Sequence, residues 1–292
     1  NHPDVAMSLN NLASLYRTRG DYARAEPLYK RTLAIDENVL GSNHPNVAAD
    51  LNNLAELYYN WGDSIKAEPL YKRSLAIREK VFGPNHPSVA RSLNNLAALY
   101  QSRGDSAKAE PLYKRSLAIR ETALGPDHPD VATSLNNLAT IYRARGDSAR
   151  AEPLFMRSLA IREKAFGPDH PDVATSLNSL ALLFHTRGDS TKAEPLYKRS
   201  LAIYENAFGP NHPDVAMILN NLAELYRNRG DNAKAEPLYK RSLAILENAL
   251  GSNHPDVATS LENLAALYRA TKRSSEATAL EKRAERIRAI KK

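Results

Sequence analysis

The sequence predicts an all-α chain built from seven repeated helix-turn-helix units. Three observations carry this expectation. His-Pro recurs at His2, His44, His86, His128, His170, His212 and His254, a step of 42 residues each time. All 12 Gly fall at two phases of that step, either in Gly-Asp (Gly20 through Gly230) or shortly before His-Pro (Gly41 through Gly251). Between these marks the apolar residues recur at the helical period. Self-similarity at such a period is the signature of an array whose units stack on their neighbours. The repeats run about 1–42, 43–84, 85–126, 127–168, 169–210, 211–252 and 253–292, and no linker interrupts this single array.

The first helix of a repeat is expected from about Pro3 to Arg19. Pro suits the first helical position, where its missing N–H would be unpaired anyway. The acid that often follows (Asp4, Asp130, Asp172, Asp214, Asp256) favours the positive helix N-terminus. Leu9, Leu12, Ala13 and Tyr16 share one face. Gly20 supplies the left-handed conformation that stops the helix. Asp21 is a good N-cap for the second helix. That helix carries Ala25, Leu28, Tyr29 and Leu33 and ends before Gly41. Pro27 lies inside it, where a proline removes a hydrogen bond and bends the axis. A loose or partly 3₁₀ first turn is expected there. The 17 Pro are thus punctuation: seven start first helices, six sit in second helices and four shape the loops.

The chain has no Cys, which excludes a disulfide framework, a thiolate metal site and a thiol nucleophile. No apolar stretch approaches membrane-spanning length. The net charge is +7, but residues 271–292 hold eight Lys/Arg against three Glu, so the excess is mostly a tail effect. A nucleic-acid groove would spread it along the array. Neither nucleic acid nor a membrane is therefore expected as a partner. The loop His cannot share a metal ion, since Zn–N distances are about 2.0–2.1 Å and stacked helices stand about 10 Å apart. No hydrolase, metalloprotease or phosphate-loop motif occurs. No catalytic residue, metal or cofactor is expected.

The spacing Leu9-x2-Leu12-Ala13-x2-Tyr16, then Gly20-Asp21 and Ala25-x3-Tyr29, resembles the tetratricopeptide repeat. Leu stands for the usual Trp, Ala for Gly and Tyr for Phe. The motifs L-N-N-L-A, A-E-P-L-Y-K-R-S-L-A-I-R-E-K and G-P-x-H-P-D-V-A are similar to the 42-residue kinesin light chain type, and the similarity covers the whole chain. Ser179 and Glu262 depart from the Asn pattern. The last helix, Ser274 to Lys292, is polar, as a terminal capping helix should be. The resemblance implies a right-handed α-solenoid whose first helices line a concave groove. It implies a non-enzymatic, cytoplasmic scaffold for protein–protein interaction.

A helical wheel puts Met7, Asn11, Ser14 and Thr18 almost opposite the apolar face. The resemblance makes that side the groove. A column of amides there (Asn11, Asn53, Asn95, Asn137, Asn221, with Asn263) can hold an extended peptide backbone. The same column is as well suited to bridging adjacent first helices. In kinesin light chains the second Asn, the residue four before it and the Arg of I-R-E face the cargo peptide. The matching residues here are Asn53, Arg78, Arg91, Asn95, Arg120, Asn137 and Arg162, which points to an acidic peptide along repeats two to four. Solvation or pairing with helix Glu is an equal reading for the Arg. Tyr59 and Trp61 stand where other repeats have Arg-x-Arg, and aromatics are frequent interface anchors. Packing at an inter-repeat turn suits them as well.

Two rival functions are a structural or self-associating array and a sensor module of a larger bacterial regulatory protein. Asn1 opens at the loop phase without Met, so a fragment of a longer chain is expected. The outer face of repeat one is then an apolar edge suited to end-to-end self-association.

Overall fold

A computed structural model describes residues 2–289. Two units are distinguished, residues 1–145 and residues 146–292. The first holds α1 (Pro3–Thr18), α2 (Tyr22–Leu40), α3 (Pro45–Trp61), α4 (Ser64–Phe82), α5 (Pro87–Ser102), α6 (Ser106–Leu124) and α7 (Pro129–Ala144). The second holds α8 (Ser148–Phe166), α9 (Pro171–Thr186), α10 (Ser190–Phe208), α11 (Pro213–Asn228), α12 (Asn232–Leu250), α13 (Pro255–Ala270) and α14 (Ser274–Ala289). Odd-numbered helices are the first helices of the seven repeats and even-numbered ones the second. The described part of the terminal helix is Ser274–Ala289, and the last three residues of the expected span lie outside the described residues.

Each first helix opens on a histidine cap. The imidazole Nδ1 of His86 accepts the N–H of Ser88 at 3.1 Å, and that of His128 accepts the N–H of Asp130 at 3.1 Å. Pro then fills the first helical position. At the other end Gly20 takes a φ of +74°, which lets the Asp21 N–H return to the Tyr16 carbonyl at 2.9 Å. The Asp63 carboxylate caps α4 by accepting the Lys66 N–H at 3.1 Å. The second helices are α-helical from their first residue, which corrects the expected loose turn. The Ala25 N–H closes a regular turn on Asp21 at 3.1 Å. Pro27 lies on an exposed face, so the carbonyl it deprives can turn to water.

The core repeats with the sequence. Val47, Ala48, Leu51 and Ile77 cluster with Leu33 and Leu70, joining α3 to both neighbouring second helices. Val89, Ala90, Leu93 and Ile119 do the same one repeat later. Ser74 Oγ donates to the Ala48 carbonyl at 2.6 Å, and Ser116 Oγ to that of Ala90 at 2.8 Å. These bonds satisfy hydroxyls that are wholly buried.

Polar contacts then tie each repeat to the next. The Glu before the internal Pro is a hub. Glu68 receives Lys72 at 2.7 Å, the Tyr100 hydroxyl at 2.9 Å and Arg103. Lys72 first, then Tyr100 and Arg103, hold its carboxyl down to about 2. Tyr58 and Tyr226 bind Glu26 and Glu194 in the same way, at 2.7 and 2.9 Å. The abundance of Tyr over Phe follows, because a Phe would bury the same ring and lose the tether.

Candidate functional site

The exposed face of the first helices presents the Asn columns. The second Asn of each L-N-N-L-A donates from Nδ2 to Oδ1 of the first Asn one repeat earlier. Asn53 binds Asn10 at 3.0 Å, Asn95 binds Asn52 at 2.9 Å and Asn137 binds Asn94 at 2.9 Å. In the second unit Asn221 binds Asn178 and Asn263 binds Asn220, each at 2.9 Å. The columns are therefore ladders bridging adjacent first helices. An amide has two N–H donors and a carbonyl. One N–H of Asn95 is engaged in the ladder. Asn11 is exposed at the start of the same column.

Beside the ladders, within each unit, lie slots bounded by a repeat's two helices and the next first helix, such as α1, α2 and α3 or α11, α12 and α13. The Arg of I-R-E fills the slot from within. Arg78 is 5% exposed and donates to Ser92 Oγ at 2.7 Å and to the Ser88 carbonyl at 3.4 Å. Arg120 donates to Ser134 Oγ and the Asp130 carbonyl, both at 2.9 Å. In the second unit Arg162 donates to Ser176 Oγ at 2.9 Å and the Asp172 carbonyl at 3.1 Å. These guanidinium groups are buried, unlike the solvated clamps that a groove ligand would meet directly.

Arg91 is different. It is exposed on α5, one residue before the Ser that Arg78 binds. Its charge reaches both Arg78 and Arg120. Burial first, then Arg91, pushes Arg78 down to about 10. Burial also lowers Arg120, with Asp130 opposing and Arg91 adding to the fall. Arg91 thus stands within electrostatic reach of two buried cations in the first unit, and among the described residues no carboxylate pairs with Arg91.

In two of the repeats that lack the Arg, the slot opens. Asp36 stands in its place in repeat one, and a cavity of about 340 Å³ lies between α1, α2 and α3. Leu246 stands there in repeat six, beside a cavity of about 340 Å³ that reaches Ser260 and Asn263. Tyr204 closes its slot with a ring whose hydroxyl lies 2.8 Å from that of Thr175. The tail keeps the pattern. Arg288 is the I-R position of repeat seven, and two of its guanidinium nitrogens, Nε and Nη2, donate to Glu262, each at 2.7 Å. Glu262, the departure from Asn, thereby neutralises it. A 42-residue register count would have found Arg288 within what reads as a charge run.

The aromatics lie elsewhere. Trp61 is half exposed at the end of α3, with its ring 6.0 Å from that of Tyr22. It borders the turn residues Gly62 to Lys66 and the exposed Ile65. Tyr59, two residues earlier on α3, is half-buried and acts electrostatically on Tyr71 and Tyr113. The helix rise of 1.5 Å per residue puts Trp61 about 18 Å along α3 from the Arg91-equivalent position. Trp61 belongs to the turn end of the layer and the Arg cluster to its opening end.

Comparisons with known proteins bear on the family and the fold. The family model described as tetratricopeptide repeat matches residues 4–80, 62–122, 107–164, 130–206, 187–248 and 214–289. No curated protein matches the chain. Among solved structures, a kinesin light chain repeat protein from Podosopora anserina with nearly identical TPR-like repeats is 30% identical. The match covers 70% of this chain and 97% of that one, with a TM-score of 0.61. BtubC (BKLC) from P. vanneervenii is 28% identical over 78% of this chain and 89% of that one, with a TM-score of 0.61. The apo quorum sensor NprR from B. thuringiensis shares the fold at 13% identity, a TM-score of 0.76, and 97% and 76% coverage. The chain belongs to the tetratricopeptide repeat family, in its 42-residue kinesin light chain form.

Proposed function

We propose that the chain is a non-enzymatic scaffold that binds an extended, acidic peptide segment along the first-helix face of residues 1–145. The observation that carries this reading is the cluster of Arg78, Arg91 and Arg120. Two of the three are buried and receive only hydroxyl and carbonyl acceptors. A buried guanidinium is costly; Asp130 partly offsets Arg120, whereas no carboxylate acts on Arg78, so a carboxylate laid across Arg91 is favoured by its direct ion pair and by relief of the cations behind it. The amides of Asn53, Asn95 and Asn137 hold the ligand backbone without reading its sequence.

The test starts from a peptide-array screen and uses the tightest acidic peptide found. Arg91→Glu places an acid at the centre of the cluster and should weaken that peptide at least tenfold, and flatten its salt dependence. Helicity should not change, because Arg91 is exposed. Equal affinity for the variant and the parent would remove this reading.

A second reading concerns the outer face of α1. Leu12 is 41% exposed and Leu15 46%, whereas their equivalents Leu54 and Leu57 are 3% and 0% exposed. Val5 and Met7 are exposed beside them. This face supports self-association of the chain through repeat one.

A further inference from the structure

The slot between α1, α2 and α3 has the opposite charge from its siblings. In the sibling slots a guanidinium sits on a serine: Arg78 on Ser92, Arg120 on Ser134 and Arg162 on Ser176. In this slot Asp36 occupies the Arg position and Asp50 the Ser position. Both carboxylates are buried, at 7% and 6% exposure. Asp50 Oδ2 is enclosed and has no hydrogen-bond partner. The cavity of about 340 Å³ above it is lined by Asp4, Met7, Asn10, Asp36, Asp50 and Asn53 among others, and by no Lys or Arg.

We propose that this slot receives a guanidinium from the bound partner: an Arg side chain of the ligand enters where Arg78, Arg120 and Arg162 fill the neighbouring slots from within. The slot has housed that planar group in three sibling copies, so its walls have the right separation. A guanidinium brings five donors in a fork and can pair with two carboxylates at once. Asp50 needs such a partner. Burial first, then the charge of Asp36, a side-chain hydrogen bond with Asp36 and the charge of Glu37, pushes its carboxyl up to about 7; Asp50 Oδ2 still lacks a partner. The charged groups facing it are Asp4 from α1, Asp36 and Glu37 from α2, and Asp50's own helix adds no cation to the lining. Glu37 is engaged by Arg73 of α4 at 2.6 Å. Among the described residues, no three His, Cys, Asp or Glu converge as metal ligands, whereas a bidentate fork needs only the two carboxylates.

The inference rests on the first-helix face being the one that takes the ligand, and it adds polarity to that ligand. Adjacent first helices stand about 10 Å apart, and an extended chain rises about 3.3 Å per residue. The partner segment then carries its Arg about three residues from the acid that meets the Arg78 and Arg91 cluster.

The test is a carboxyl ¹³C NMR titration of the full chain, labelled at Asp, with N-acetylarginine amide as the probe. The expected result is a saturable shift of the Asp36 and Asp50 resonances and a fall of about tenfold or more in the proton affinity of Asp50. The double variant Asp36→Arg with Asp50→Ser rebuilds the Arg78–Ser92 arrangement, so it should fold and should show no such response at its other Asp. No saturable shift overturns the proposal. So does an equal shift with N-acetylglutamine amide or with Mg²⁺, or with the double variant's remaining Asp resonances. A parallel titration with N-acetylglutamate amide, followed on Arg Nε signals, reads the Arg91 cluster alone. Failure of one arm is thereby separated from failure of the other.

Discussion

Replacing Asp50 by Ser should make the first unit more stable at high pH and change nothing in acid. Burial beside Asp36 pushes the Asp50 carboxyl up to about 7, against an ordinary 3.8, and the extra proton belongs to the Asp36–Asp50 pair. At 1.36 kcal/mol per unit, that rise of about three units sets a ceiling of about 4 kcal/mol. The slot opens to solvent, and relaxation screens part of it, so about 2 kcal/mol is the working figure. The sign follows from proton binding. Between pH 4 and 7 the folded state holds a proton that the unfolded chain releases. The parent therefore gains stability as pH falls through 7 toward 4 and has lost that gain at pH 8. Asp50→Ser should lack this slope. The gap between variant and parent should be about 2 kcal/mol at pH 8 and close to zero below pH 4. Because arrays open repeat by repeat, the assay is native-state hydrogen exchange of α2 and α3 amides. Parallel pH profiles for parent and variant would refute the reasoning, whatever their absolute values.

Three further outcomes are expected. Glu68, Glu110 and Glu236 are each held to about 2, with the Lys one turn on as the first cause; their stabilisation is present above pH 4.5 and lost as pH falls toward 2. Acid titration followed by circular dichroism should show Glu68→Gln with an earlier, less salt-dependent loss of α4–α5 docking. Asn95→Ala removes the 2.9 Å amide bond to the buried Asn52 and should cost about 1 kcal/mol, read as faster exchange in α3 and α5 only. Leu12→Lys should abolish any rise of mass with concentration in sedimentation, and a rise that persists would place the contact elsewhere.

Much of the fold was legible because its punctuation is chemical. A Gly at positive φ, a Pro at a helix start and an Asp cap each have one local meaning, and they recur every 42 residues. The first turn of the second helices was misjudged because Pro27 faces water, where the loss of one hydrogen bond leaves the turn intact. The ladders were visible as columns, but amides suit a neighbour helix and a ligand equally, and only the pairing of Asn95 with Asn52 distinguishes these uses. Arg78 was legible as a recurring cation and not as a buried one, since its depth is set by Ser92 on the next repeat. Asp50 was missed for the same reason: its meaning depends on Asp36, fourteen positions away on another helix. Comparing those two columns together across all repeats would have exposed the charge reversal.

The polar ties described above span at most 43 residues and so do not reach past the adjoining repeat. None of these ties fastens a repeat to any but its neighbour. Pulled from its ends, the chain should yield as a zipper does, one hairpin at a time and at similar force, with each step releasing the length of one repeat. At about 3.6 Å per residue, 42 residues lengthen the tether by on the order of 150 Å. The molecule is then a graded spring, able to give under load at one end while the Arg cluster elsewhere keeps its shape.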